Sequence, residues 1–304
     1  MLRKSTLATL VYYDILGYPL TEFEVWKHLI QPTESGSKTA PPSLAEVTGA
    51  IDALVAERRL GRFRGFVLLP GRENIVLSRI HDEKRAVQKI KRAARLIHLL
   101  SWVPYVRMIG LTGSLSMKLG DAGSDWDFFV VLHRGAIWRG RFFLSLVLQL
   151  MGKRRHGRYV ENRACLNHFV TDGSLEITMQ DFFSAHEYRY IYPVFGWDTF
   201  RRFELVNRWM TQIKPTFTLS EIPSLWLDEP KPAMRRLQAM LEKFLERQQL
   251  ERWLASWQKK KIMTNPKTQI EGAFIVANDE ALIFLPHPKG PAIFERFKQA
   301  LSLT

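Results

Sequence analysis

Two aspartates, Asp125 and Asp127, head the apolar run Phe128-Phe129-Val130-Val131-Leu132, and a Gly113-Ser114 pair precedes them by about a dozen residues. If that run is a strand, residues two apart share a face with ~6.5–7 Å between their Cα atoms, so the two carboxylates project side by side while Trp126 and Phe128 turn the other way. Carboxylates that close repel each other unless a cation sits between them. Divalent metal meets that need, and two ions ~3.5–4 Å apart, as in two-metal phosphoryl transfer, fall within the span that neighbouring aspartates bridge. The Gly-Ser pair falls at a strand-to-helix turn, where free backbone N–H groups and the Ser114 hydroxyl form a cradle for an anion. Together these residues point to metal-assisted chemistry on a phosphate.

The elements that must position them follow from periodicity and punctuation. After Pro104 the pattern predicts a strand at 105–111, a turn and helix at 112–120, and a strand at 125–132. A helix at 136–151, a basic loop at 153–158 and two strands at 163–170 and 175–180 come next. The last two are joined by Thr171-Asp172-Gly173-Ser174, whose Asp-Gly pair is a hairpin signal. Upstream, helices are expected at 6–16, 21–30 and 43–57, the last two opened by capping boxes, Thr21 with Glu24 and Ser43 with Glu46. A Ser/Thr/Gly/Pro-rich loop is expected at 31–42, and short strands at 60–64 and 66–69 flank Gly65. Three helices and a small hairpin make a winged-helix-like arrangement with 43–57 as its candidate recognition helix. That helix carries Glu46, Asp52 and Glu57, a poor pattern for lying on phosphates, so docking against protein is an equal expectation.

A long helical pattern at 72–102 has Val87, Ile90, Ala94, Ile97 and Leu100 on one face and Arg72, Arg79, Lys84, Arg85, Lys89, Lys91, Arg92 and Arg95 on what should be an exposed basic face. The remainder is expected to be mainly helical, with helices at 198–213 and 232–261, then a strand–turn–helix piece at 273–276, 282–284 and 291–301. The chain thus divides into a winged-helix-like domain (1–71), a basic connecting helix (72–102), a core (103–190) and a mainly helical C-terminal domain (191–304). The expected class is α+β.

The order Gly113-Ser114, short helix, Ser124-Asp125-Trp126-Asp127, apolar strand resembles the signature of polymerase-β-like nucleotidyltransferases. The whole arrangement is similar to uncharacterised bacterial nucleotidyltransferase-domain proteins with an N-terminal winged-helix-like segment. The resemblance implies a mixed-sheet core in which Gly113, Ser114 and Ser124 hold the nucleotide, with Asp125 and Asp127 on Mg2+ or Mn2+. It also implies a third carboxylate on a later strand. Glu176, alternating between Leu175 and Ile177, is the choice for that role, with Asp172 shaping a turn and Asp181 at a strand end. Where the family commonly has Arg and Gly, this chain has Met117 and Lys118, and Lys118 is the substitute phosphate contact. The implied reaction moves a nucleoside monophosphate from a nucleoside triphosphate to an acceptor and releases pyrophosphate. A second expectation is a winged-helix DNA-binding or antitoxin-like regulator whose nucleotidyltransferase fold senses nucleotide without turning it over.

Composition sets the limits. The 304 residues are 46% hydrophobic and 24% charged, which excludes a disordered or collagen-like chain. The formal net charge of +14 favours a polyanionic partner, RNA first, with protein and small-molecule acceptors left open. A single cysteine, Cys165, forms no internal disulfide, and no Cys/His spacing suits zinc. Cys165 reads as packing, not as a nucleophile, and His168 as a structural histidine. The opening segment lacks a signal-peptide pattern, and the greasiest run, 142–151, is half the ~20 residues of a membrane span. A cytoplasmic protein with no membrane insertion is expected.

Overall fold

A computed structural model describes residues 1–31, 40–120, 123–217 and 232–303, so most of the loop expected at 31–42 lies outside the described residues. Its first unit runs α1 (Leu2–Ile15), β1 (Leu20–Thr21), α2 (Glu22–Lys27), α3 (Leu44–Ala56), β2 (Gly61–Phe63) and β3 (Phe66–Leu68). Both capping boxes form. Thr21 and Ser43 each accept from the backbone N–H three residues on, and Glu24 and Glu46 reach back to the cap N–H groups, each box contributing about 1 kcal/mol. The three short strands pair antiparallel in the order β1-β3-β2.

α4 (Glu73–Leu100) is one helix of 28 residues, and its basic residues divide into two sets. Lys84, Lys91, Arg92 and Arg95 are exposed. Arg79 and Lys89, expected among them, are buried. Arg79 pairs with Glu24, donates to the Pro19 carbonyl and lies 4.0 Å from the Tyr18 ring centroid, so it fastens the helix to the first unit. A helical period places residues on a face but does not say whether an aromatic cup and a carboxylate wait there.

The chain is α+β, built on a mixed six-stranded sheet in the order β7-β4-β5-β6-β9-β8. Its elements are β4 (Val106–Leu111), α5 (Gly113–Ser116), β5 (Trp126–Leu132), α6 (Ile137–Leu150), β6 (Ala164–Thr171), α7 (Phe182–Arg189) and β7 (Tyr192–Phe195). Then come α8 (Trp197–Val206), α9 (Met210–Ile213), α10 (Pro232–Phe244), α11 (Gln248–Met263), β8 (Phe274–Ala277), β9 (Ala281–Leu285) and α12 (Gly290–Leu303). Trp126, Phe128, Val130 and Leu132 of β5 pack with α4, α6 and α11 on one side of the sheet. Phe129 and Val131 face the other side with Ala185 of α7, Phe200 and Phe203 of α8 and Met210 of α9. The period of two therefore assigns Asp127 to the α7–α8 side.

Two expectations change here. No strand forms at 175–180, because the turn after β6 is drawn aside. Asp172 Oδ1 accepts from Arg134 N at 2.8 Å, and the edge of β6 is paired instead with β9. A strand also forms at 192–195, where none was expected, and the strands expected at 273–276 and 282–284 join the same sheet. β7 pairs antiparallel with β4, and β8 and β9 complete the far edge, so residues after 190 share the core's sheet. Pairing between segments distant in the chain, such as β4 with β7 or β6 with β9, is set by register, which no local pattern carries.

α6 has no side-chain cap of its own; Glu251 of α11 accepts from the N–H groups of Trp138 and Arg139 at 2.9 and 3.1 Å and serves instead. α12 returns to the first unit, where Phe297 meets Tyr12 of α1 edge-on at 5.5 Å, and the same ring stacks on Phe182 of α7 at 5.3 Å. Among the described residues, no helix is long and apolar enough to cross a membrane.

Candidate active site

Asp127, the second residue of β5, accepts through its backbone carbonyl from Thr112 N at 3.0 Å, which ties the β4–α5 turn to the start of the strand. Gly113 takes φ +67° in that turn, and a Cβ on it would stand 2.8 Å from Asp127 Oδ2. Glycine is needed twice over, for the left-handed backbone and for the close approach. Gly113, Ser114, Asp125 and Asp127 consequently line one cleft of about 1880 Å³. The turn continues into a helix of only four residues, so the cradle it offers is one of local N–H groups and not of a long helix dipole.

The acidic pair lies in a charged setting. Arg155 Nη1 stands 2.7 Å from Asp125 Oδ2 and donates to Cys165 Sγ at 3.3 Å. The loop that carries Arg155 is fixed, since its N–H donates to Ala164 O at 2.9 Å and Ala164 N donates to Lys153 O at 2.7 Å. Asn167 Nδ2 donates to Asp127 Oδ1 at 3.2 Å. Burial, reinforced by the neighbouring Asp125 charge, lifts Asp127 to about 6, against the pull of the Cys165 hydrogen bond, Arg155 and Lys289.

The strand beside β5 decides what sits at the third corner. β6 runs parallel to β5 with Cys165 opposite Asp127, and one ligand atom each from Asp125, Asp127 and Cys165 all fall within 4.8 Å of one another. Burial and the two aspartates push the Cys165 thiol up to about 12, against the hydrogen bond and charge of Arg155. A bound metal would reverse that, because a coordinating thiol gives up its proton. This donor set fits a divalent cation. Two carboxylates offer the oxygens a hard cation prefers, with a softer sulfur beside them, and the buried Asp125 Oδ2 is balanced by Arg155.

The remaining expected residues divide. Glu176 is exposed and off the sheet, its Oε1 accepting from Gln180 Nε2 at 3.3 Å; it lines the cleft but does not join the Asp125/Asp127 group. Lys118, at φ +57°, turns away toward α4 and pairs with Glu83 at 2.9 Å, outside the cleft lining. Ser124 is held from behind, its Oγ and carbonyl accepting from Lys89 Nζ at 2.9 and 3.0 Å, so it braces the loop before Asp125 instead of facing a ligand. Asp172 shapes its turn as expected, while Asp181 is the N-cap of α7, accepting from Ser184 N at 2.7 Å.

Sequence reasoning missed Glu187. It lies on α7, which packs over the Asp127 face of the sheet, with Tyr188 against Phe129 and His168 at 6.1 and 5.6 Å. Glu187 lines the same cleft, and burial together with the Asp127 charge lifts it to about 7, with Lys289 pulling the other way. The available signal was the Asp181-x-x-Ser184 spacing, which opens a helix and puts Glu187 near its end. Burial alone lowers His168 to about 4, so it stays neutral. Comparison with protein-family models, curated proteins and solved structures returned no match.

Proposed function

We propose that the chain is a metal-dependent nucleotidyltransferase, moving a nucleoside monophosphate from a nucleoside triphosphate to an acceptor hydroxyl with release of pyrophosphate. The observation that carries the reading is the close packing of Gly113 on Asp127, which sets an anion-cradling turn and an acidic pair into one cleft. Asp125 and Asp127 would hold the cation, Mg2+ or Mn2+, through their carboxylate oxygens, with the softer Cys165 sulfur beside them. When bound, it would supply charge neutralisation for the phosphates and for the reacting oxygens. Backbone N–H groups at Gly113 and Ser114 orient the triphosphate. Arg155, set against Asp125, and Lys289, which also lines the cleft, would supply positive charge for the phosphates. Glu187, held near 7, is suited to accept the proton of the attacking hydroxyl, because a base works best with its pKa near ambient pH.

The order of α1 to β3, with β2 and β3 as a small wing, supports the winged-helix-like reading of the first unit. α3 is a weak candidate for DNA contact. Its Asp52 is engaged by Arg62 and the following Glu57 by Arg3, leaving no cationic stripe on that helix.

The regulator reading is favoured by one specific observation: β6 brings Cys165 and Asn167 beside Asp127, and no carboxylate. Incubation with α-labelled nucleoside triphosphates, Mg2+ or Mn2+, and cellular RNA or protein separates the two. Metal-dependent label transfer that is lost in Asp125→Asn and Asp127→Asn supports the enzyme. Nucleotide binding without any transfer supports the sensor.

A further inference from the structure

α11 is pinned on one side and open on the other. Leu254, Gln258 and Ile262 are buried, Gln258 Nε2 donates to Trp138 O at 2.8 Å, and Arg141 Nη1 donates to Gln258 Oε1 at 2.6 Å. With Glu251 capping α6, these bonds leave the helix little freedom to rotate. Its outer face shows two tryptophans one helical turn apart, Trp253 at 62% exposure and Trp257 at 46%. Their rings are parallel to within 5° with centroids 6.5 Å apart. Lys261 Nζ lies 5.5 Å from the Trp257 centroid, and Arg252 and Lys260 are exposed beside them. Large indoles left in water on a fixed helix mark a contact surface. Trp257 and Lys261 also line the cleft that holds Asp125 and Asp127, together with Arg154 and Lys267.

We propose that the Trp253–Trp257–Lys261 face of α11 is a stacking platform for single-stranded nucleic acid, leading a strand end into the cleft of the acidic pair. The proposal rests on the nucleotidyltransferase reading and names its acceptor class. Exposed aromatic faces stack bases of any sequence, while neighbouring cations follow the phosphates. The net charge of +14 complements such a ligand. A lipid surface would also accept tryptophan and lysine, but continuity from the platform into the cleft suits a chain-like ligand that touches both. α4 has exposed lysines and arginines but no Phe, Tyr or Trp, and among the described residues none of it lines the cleft.

The test is fluorescence anisotropy of a short fluorescein-labelled RNA of mixed sequence with the full chain, alongside quenching of tryptophan emission. Trp253→Ala and Trp257→Ala should each weaken binding about tenfold, with Phe at either position restoring most of it. Lys261→Glu should weaken binding and reduce its salt dependence. Both tryptophans are exposed, so circular dichroism should match the parent. RNA affinity unchanged in the alanine variants, or quenching by phosphatidylserine vesicles with none by RNA, overturns the platform. Binding of mant-ATP to the parent protein with Mn2+ reads the acidic pair separately. If mant-ATP binds while RNA does not, the platform falls and the nucleotide site at the acidic pair stands. If RNA binds through the tryptophans while mant-ATP does not, the platform stands and the enzyme reading falls.

Discussion

Gly113→Ala tests the closest contact of the candidate site. The substitution places a methyl group 2.8 Å from Asp127 Oδ2 in a backbone at φ +67°. The conformational part costs about 1–2 kcal/mol, because an L-residue in the left-handed region crowds its own carbonyl. The steric part should cost little stability, since the obstructing atom is the end of a side chain that can rotate. It should cost function instead: Asp127 must leave the position where Asn167 Nδ2 holds Oδ1 at 3.2 Å and where its partner carboxylate is two residues away. Displacing one of the converging donors should weaken Mn2+ binding by about 10–100-fold. Gly65→Ala is the control. Gly65 has φ +83° with nothing within 4 Å of where the added methyl would stand, so it carries the backbone cost without touching the site. Both variants should melt about 2–5 °C lower than the parent, roughly what 1–2 kcal/mol produces in a chain of this size. Only Gly113→Ala should lose Mn2+ affinity, read by electron paramagnetic resonance of the free ion. Equal Mn2+ affinity in parent, Gly65→Ala and Gly113→Ala would refute the idea that the missing Cβ positions Asp127 for metal.

Three further outcomes are expected. Glu187→Gln should lower nucleotidyl transfer by about 10²–10⁴-fold, whereas Glu176→Gln, on an exposed carboxylate off the sheet, should leave the rate within about twofold; the reverse pattern in a single-turnover assay would restore Glu176 as the base. Arg79→Ala should destabilise the chain by about 3–5 kcal/mol in urea denaturation, because it leaves Glu24 without its cation and Tyr18 without its ring partner; a loss below about 1 kcal/mol would mean that α4 is fastened elsewhere. His168, lowered by burial to about 4, binds its proton more readily in the unfolded chain, so its contribution is present above about pH 6.5 and is lost as pH falls toward 4, by up to about 3 kcal/mol. His168→Phe should therefore show a shallower fall in stability over that window, and parallel pH curves for parent and variant would show that the imidazole is not desolvated.

The sequence alone determined the parts of this protein whose physics is local. Both capping boxes, the positions of β4, β5 and β6, and the side-by-side projection of Asp125 and Asp127 follow from residue type and a period of two, and the structure has them. The Gly113 turn was legible for the same reason, because a glycine before a one-turn helix states its own backbone requirement. What meets the acidic pair was decided only by tertiary structure. Which side chains stand opposite Asp127 depends on the register of a parallel neighbour reached through α6, and that register delivered Cys165 and Asn167 where a carboxylate was expected. Glu187 feels the Asp127 charge because α7 folds over one face of the sheet, while Glu176 stays at the cleft's exposed margin because the turn at Asp172 is held by the loop after β5. Lys118 and Lys89 exchanged their expected settings for the same physical reason. A cation goes to the carboxylate or carbonyl that packing places within reach, and packing partners distant in the chain leave no period in the sequence.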